Sequence, residues 1–150
     1  MRLHADGRFA HDLIVESPGF WSDPWCDPKL FEEGRHYPKM NGRSVFKEAV
    51  SSMREVALEV LSENGLTPGQ VDHFVPHQAN RRINEAVASG IGIPAEKCDH
   101  SIERYGNCAS ASVPVALDEQ VRAGAVRPGD LVLFATFAAG FTWGGAVVRW

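Results

Sequence analysis

Between Ser44 and Gly65 apolar residues return at three- and four-residue intervals: Phe46, Ala49, Val50, Met53, Val56, Ala57, Val60 and Leu61. That spacing predicts a long amphipathic helix with one buried face, and Gly65 supplies a glycine stop just beyond it. After a Thr67-Pro68-Gly69 break, Val71 to Pro76 reads as a buried strand. Pro76 cannot donate to a ladder, so the strand is expected to hand over there to a helix from about Ala79 to Ser89, closed by Gly90 and Gly92. Asp99 to Arg104 reads as a short strand. Tyr105-Gly106-Asn107 then turns into the small-residue run Cys108-Ala109-Ser110-Ala111-Ser112, which enters a helix lasting to about Gly124 with Pro114 in its first turn. Arg127-Pro128-Gly129-Asp130 turns into a strand from Leu131 to Thr136, and Gly140 to Gly145 leads into a last strand through Val147 and Val148 to Trp150.

The N-terminal part is less regular. Met1 to Arg8 reads as a strand running into a turn at Asp6-Gly7, followed by a second strand from about Phe9 to Glu16, together a hairpin. An independent domain seldom opens on a tight hairpin, so upstream material or a partner is expected to complete it. From Ser17 to Met40 the pattern dissolves among prolines, glycines and the aromatics Phe20, Trp21, Trp25, Phe31 and Tyr37. A loop that long is uncommon in a compact domain. It reads either as a surface excursion pinned by Trp21 and Trp25 or as the wall of a substrate or partner pocket. The full order, strand-strand-helix-strand-helix-strand-helix-strand-strand, is an α/β layered arrangement, expected to form a single domain over residues 1–150.

Composition narrows the function without naming it. Hydrophobic residues make up 44% of the chain and charged residues 23%, which excludes a disordered or low-complexity class. No apolar run approaches the roughly 20 residues that span a bilayer, and no cleavable signal precedes the pattern, so a cytoplasmic protein with no membrane partner is expected. A formal net charge of −4 argues against a nucleic-acid binder. Cys26, Cys98 and Cys108 form no CxxC pair and no repeating framework, so neither a metal site nor a disulfide scaffold is expected.

Two polar turns, at His77 and at Asn107, each follow a strand and precede a helix, and in a layered α/β fold both can converge on one sheet edge. A neutral imidazole N–H and an amide N–H are donors without net charge, suited to holding a developing oxyanion or enolate. Taken singly, each residue also fits an ordinary structural role. The run Phe137-Ala138-Ala139-Gly140-Phe141-Thr142-Trp143-Gly144-Gly145 reads on spacing as a tight hairpin, although such a small-residue loop can also let backbone N–H groups approach a ligand.

Three strings carry a resemblance: Val75-Pro76-His77-Gln78-Ala79-Asn80; Arg104-Tyr105-Gly106-Asn107 with Ser110-Ala111-Ser112-Val113-Pro114; and Gly140-Phe141-Thr142-Trp143-Gly144. In order and spacing they resemble the C-terminal half of β-ketoacyl-acyl-carrier-protein synthase III, a condensing-enzyme family of the thiolase fold. Leu3-His4-Ala5-Asp6-Gly7, Val45-Phe46-Lys47 and Pro128-Gly129-Asp130 extend it over nearly the whole chain, with the 17–40 loop the least familiar part. The resemblance implies a mixed sheet flanked by helices and a decarboxylative Claisen condensation. In that reaction a Cys takes an acyl group from a coenzyme A thioester, and a His and an Asn stabilise the enolate formed from malonyl-carrier protein.

By motif match His77 and Asn107 take the two enolate-stabilising roles. The nucleophilic Cys belongs to the family's N-terminal half, so this chain is expected to depend on a Cys-bearing half, in the same longer chain or a separate subunit, and to be inactive alone. Cys108 reads as a small packed substitute for a hydroxyl residue. The family's glycine-rich loop reads Ala138-Ala139 here, and an oxyanion-hole donor persists at the backbone of Ala139 if its φ is not positive. Asn80 resembles a pantetheine-contacting position, and Arg43 stands where the family tends to have Asn.

Lys47 and Arg82, with Arg43 and Arg81, are candidates for docking an acidic acyl-carrier protein. No permanently bound cofactor is implied; coenzyme A and phosphopantetheine thioesters are the substrates, and the family pairs its halves and dimerises. A non-catalytic module that binds coenzyme A or carrier protein, or completes a dimer, is the alternative from another class. An ester-forming or unusual-starter acyltransferase of the same fold is the second.

Overall fold

Residues 1–19 and 23–150 are described by a computed structural model. In chain order the elements are β1 (Arg2–Ala5), β2 (Leu13–Ile14), α1 (Pro28–Glu32), β3 (Lys39–Met40), α2 (Gly42–Glu63), β4 (His73–Pro76), α3 (Arg81–Ile91), α4 (Ile102–Tyr105), α5 (Ser112–Arg122), β5 (Leu131–Ala138) and β6 (Thr142–Arg149). Four strands form one sheet in the order β1-β6-β5-β4, parallel between β4 and β5 and antiparallel elsewhere, with β2 and β3 pairing separately. No helix among the described residues is long and apolar enough to cross a membrane.

The sheet divides the core through its two-residue side-chain period. Phe74 on β4 and Leu131, Leu133, Ala135 and Phe137 on β5 pack with Val56, Ala57, Val60 and Leu61 of α2 and Val87 and Ile91 of α3. Val75 and Val132 point the other way and pack with Ala116 of α5 and with Val126. The long apolar periodicity is thus realised as α2, which buries Ala49, Met53, Val56, Ala57, Val60 and Leu61 at three- and four-residue intervals and leaves Phe46 exposed. α2 lies so close to β6 that a Cβ at Gly145 would sit 3.1 Å from both the Val56 carbonyl oxygen and its Cγ2. Glycine is favoured there by close approach rather than by a turn.

Four local readings are corrected. Met1 to Glu16 is not a hairpin: β1 pairs with β6 through Arg2↔Gly145 to Ala5↔Thr142, and Gly7–Asp12 is a 3₁₀ helix. The Asp6 side chain accepts from the Arg8 N–H and caps that turn, while Phe9 stacks on Phe141 with centroids 5.3 Å apart. Asp99 to Arg104 is not a strand. After a single bridge between Phe74 and Cys98 the chain turns into α4, because the Gln78 side chain occupies the Asp99 carbonyl and the Ser101 N–H that a ladder would use. The 17–40 stretch is not structureless, since Asp27 caps α1 and β3 returns to β2. Within it the Trp25 side chain is 59% exposed rather than buried as an anchor, and Phe20 and Trp21 lie outside the described residues. Cys108 is exposed rather than packed, with Sγ donating to the Tyr105 carbonyl at 3.2 Å.

Pro76 is the last residue of β4, as its missing N–H led to expect. It faces Ala135 in register, and the His77 N–H still donates to the Ala135 carbonyl at 2.9 Å. The Pro76 carbonyl points to the outer edge, where it accepts from Gln78 Nε2, so the missing N–H falls on the side away from β5. Replacing Gly145 with Val is expected to destabilise the fold by about 1–3 kcal/mol through overpacking against Val56. Urea unfolding midpoints measure this, and an unchanged midpoint would show that α2 does not ride on β6 so closely.

Candidate functional site

His77 is the first residue past β4, and strand alternation sends it to the same side as Val75, where α5 begins. Its Nδ1 lies 2.7 Å from the Ser112 hydroxyl, and the following Gln78 N–H donates to the same oxygen at 3.1 Å. Gln78 is fully buried. Its amide donates to the carbonyls of Pro76 at 2.9 Å and Asp99 at 3.0 Å and accepts from the Ser101 N–H at 3.1 Å. Burial holds the imidazole below its ordinary pKa, so His77 is neutral near pH 7.

Asn107 reaches the same region from the loop before α5. Its Oδ1 accepts from the Ala109 N–H at 3.0 Å, which leaves the amide Nδ2 as a donor. Ala109 adopts φ 49°, the one left-handed non-glycine backbone among the described residues, at a cost of roughly 1–2 kcal/mol. That strain accompanies the turn that aims Asn107.

His77 and Asn107 line one cavity of about 900 Å³, together with Asn80 and Ala139. Apolar side chains of α2 and the β2–β3 pair, including Leu13, Met40, Val45, Phe46 and Met53, supply much of its wall. Asn80 also caps α3, its Oδ1 accepting from the Arg82 N–H at 2.9 Å. Ala139 sits in the tight β5–β6 turn, where Gly140 takes the left-handed conformation at φ 90° and Ala139 does not. The condition for a backbone donor at Ala139 is therefore met.

The four candidate cations lie outside the lining. Arg43 and Lys47 stand exposed one turn apart on α2, and Arg82 is exposed on the first turn of α3. Lys47 Nζ is 3.5 Å from Glu48 Oε1, whereas Arg43 and Arg82 enter no salt bridge among the described residues. Arg81 is committed elsewhere: it pairs with Glu85 at 2.7 Å and with Glu103, and both raise its pKa.

None of the three cysteines lines the cavity. Cys98 is buried and its thiol is pushed up to about 12, first by desolvation and then by Asp99, so it is inert as a nucleophile. Cys108 opens instead onto a separate groove with Tyr105, Pro114 and Glu119. In the sequence Gln78 and Ser112 stand out only as members of the His77 and Asn107 motifs. A Gln directly after a strand-end His, able to donate and accept at once, is the pattern that could have singled it out.

The model for "3-Oxoacyl-[acyl-carrier-protein (ACP)] synthase III C terminal" matches residues 61–150, more than half of the chain. The chain belongs to this family. A β-ketoacyl-[acyl-carrier-protein] synthase III of Roseiflexus sp. (strain RS-1) is 44% identical over 148 residues, covering 99% of this chain and 44% of the relative. One of Erythrobacter litoralis is 42% identical over 149 residues, covering 99% and 43%. The solved synthase III of Thermus thermophilus is similar with TM-score 0.86 and 42% identity, covering 99% of this chain and 44% of that one. That of Aquifex aeolicus VF5 gives TM-score 0.85 and 38% identity over 99% of this chain and 43% of that one. The α/β fold is thus the thiolase-like one, and the chain spans less than half the length of the curated relatives it matches.

Asp99, beside the Gln78 clasp, offers a test of this local geometry. Its carboxyl is pushed up to about 6, first by burial, with His73 opposing, and its Oδ2 is buried without a partner. The folded value lies above the roughly 3.9 of an unfolded chain. Its stabilising contribution is therefore complete below pH about 4 and is lost as pH rises through about 6. Asp99→Asn is expected to gain stability on the native chain as pH increases across that window. Parallel stability–pH curves from urea titrations would contradict this.

Proposed function

We propose that this chain is the His- and Asn-bearing half of a 3-oxoacyl-[acyl-carrier-protein] synthase III-type condensing enzyme, folded as one domain. The observation that carries the reading is the meeting of two neutral donors, His77 and Asn107, in one largely apolar cavity that Asn80 and Ala139 also line. Family membership supports it. A malonyl thioester bound there loses carbon dioxide, and the enolate oxygen accepts from the imidazole N–H and the Asn107 amide. The enolate carbon then attacks an acyl-Cys carbonyl, with Ala139 N–H holding the oxyanion, and the thiolate leaves. Uncharged donors stabilise that transient charge without trapping it as an ion pair.

The acyl-accepting Cys comes from another half, because no cysteine of this chain lines the cavity. Substrates are coenzyme A and acyl-carrier-protein thioesters in a step of fatty-acid synthesis, with no permanent cofactor. Asn80 contacts the pantetheine arm. Lys47, Arg82 and Arg43 form the docking rim for the acidic carrier, and Arg81, already neutralised by two carboxylates, contributes least.

Mixing the chain with the portion of a curated relative that it does not match is the direct test. Restored malonyl-thioester decarboxylation is expected, and His77→Ala or Asn107→Ala is expected to lower it about 10²–10³-fold. Decarboxylation that is restored but indifferent to His77→Ala would leave a module that only binds carrier or completes an assembly.

The sheet face opposite α2 is covered by α5 at β4 and left open at β1 and β6, where Leu3 is 73% and Val148 43% exposed. Apolar surface of this kind marks an interaction face. Light scattering of the chain alone is expected to give a dimer or larger species. A clean monomer at high concentration would count against a partner half and a homodimer.

A further inference from the structure

His77 leaves one question open that decides whether it can donate: which ring nitrogen carries the proton. We infer that Ser112 is a positioning residue whose hydroxyl donates to His77 Nδ1 and thereby keeps the proton on Nε2, the nitrogen left for the cavity. The argument is one of hydrogen-bond accounting. Ser112 is 2% exposed, and its oxygen already accepts the Gln78 N–H at 3.1 Å. The hydroxyl has one proton, and His77 Nδ1, 2.7 Å away, is the neighbour that can accept it. With the proton on Nδ1 instead, the serine oxygen would accept two N–H groups while its own buried proton went unpaired, and buried unpaired donors are disfavoured.

The arrangement is rigid. Three backbone groups hold the Gln78 amide, the Gln78 N–H fixes the serine oxygen, and the serine fixes the ring. Ser112 opens α5, and Asn107 lies five residues before it, so the same chain segment aims both donors. The consequence for catalysis rests on the reading under Proposed function. The tautomer itself does not, because it follows from contacts within this chain.

Nitrogen-15 NMR of the full 150-residue chain with labelled histidine tests it, the His77 signals being assigned among six histidines by their loss in His77→Gln. The native chain near neutral pH is expected to show the Nε2–H form in excess of about tenfold, the scale an unsatisfied buried donor enforces. Ser112→Thr, which keeps the hydroxyl, is expected to preserve that excess. Ser112→Asp, whose carboxylate only accepts, is expected to draw the proton to Nδ1, and Ser112→Ala to leave a mixture.

A purely structural serine would change stability and leave the proton where it was. A native chain with the proton on Nδ1 overturns the inference, and so does an Nε2–H excess that survives unchanged in both the Ala and Asp variants. The expected tautomer together with no decarboxylation in the reconstituted pair would sink the functional reading and leave this one standing.

Discussion

The buried Gln78 side chain is the joint on which the site depends. Its amide ties the outer edge of β4 to the 99–101 segment through three hydrogen bonds to backbone groups. Two of those groups, the Pro76 carbonyl and the Ser101 N–H, are buried, and a buried group left without a partner costs about 1–3 kcal/mol. The clasp explains why the chain after Cys98 leaves the sheet instead of extending it. It also fixes the peptide that follows His77, so the imidazole inherits a backbone that cannot shift independently of β4 and α5.

Around that joint the fold separates two kinds of polarity. The cavity holds donors without net charge on apolar walls, while the cations Arg43 and Lys47 stand exposed on the first two turns of α2 and Arg82 on the first turn of α3. A charge kept outside the cavity is solvated and screened, whereas a cation inside apolar walls would carry a desolvation cost without a partner. Arg81 shows that position in the sequence does not decide this, since Glu85 and Glu103 take up its charge although its neighbour Arg82 is left free of salt bridges among the described residues.

Much of the architecture was legible in the sequence because it depends on local periodicity. The three- and four-residue recurrence marked α2, and the apolar runs marked β4 and β5, each to within a few residues. The motifs around His77 and Asn107 pointed to their shared cavity. Several of the readings that failed turned on a partner distant in sequence. β1 seeks β6 some 140 residues away rather than a neighbouring strand, as Leu3↔Gly144 shows. Asp99 to Arg104 has strand-like composition but loses its ladder groups to Gln78, whereas Cys108 looks small enough to pack yet stands in an exposed turn.

By itself, then, the sequence determined the long helix α2 with its apolar face, the strands β4 and β5, and the helices α3 and α5 that follow the His77 and Asn107 turns. Side-chain spacing and turn chemistry act over a few residues and need no knowledge of the rest of the chain. Only the tertiary structure decided how Gln78 and Ser112 hold His77, which arginine is neutralised, and that no cysteine reaches the cavity. These are outcomes of hydrogen bonds and ion pairs between residues up to 35 positions apart, as for His77 and Ser112. Such contacts exist only once packing has brought the segments together.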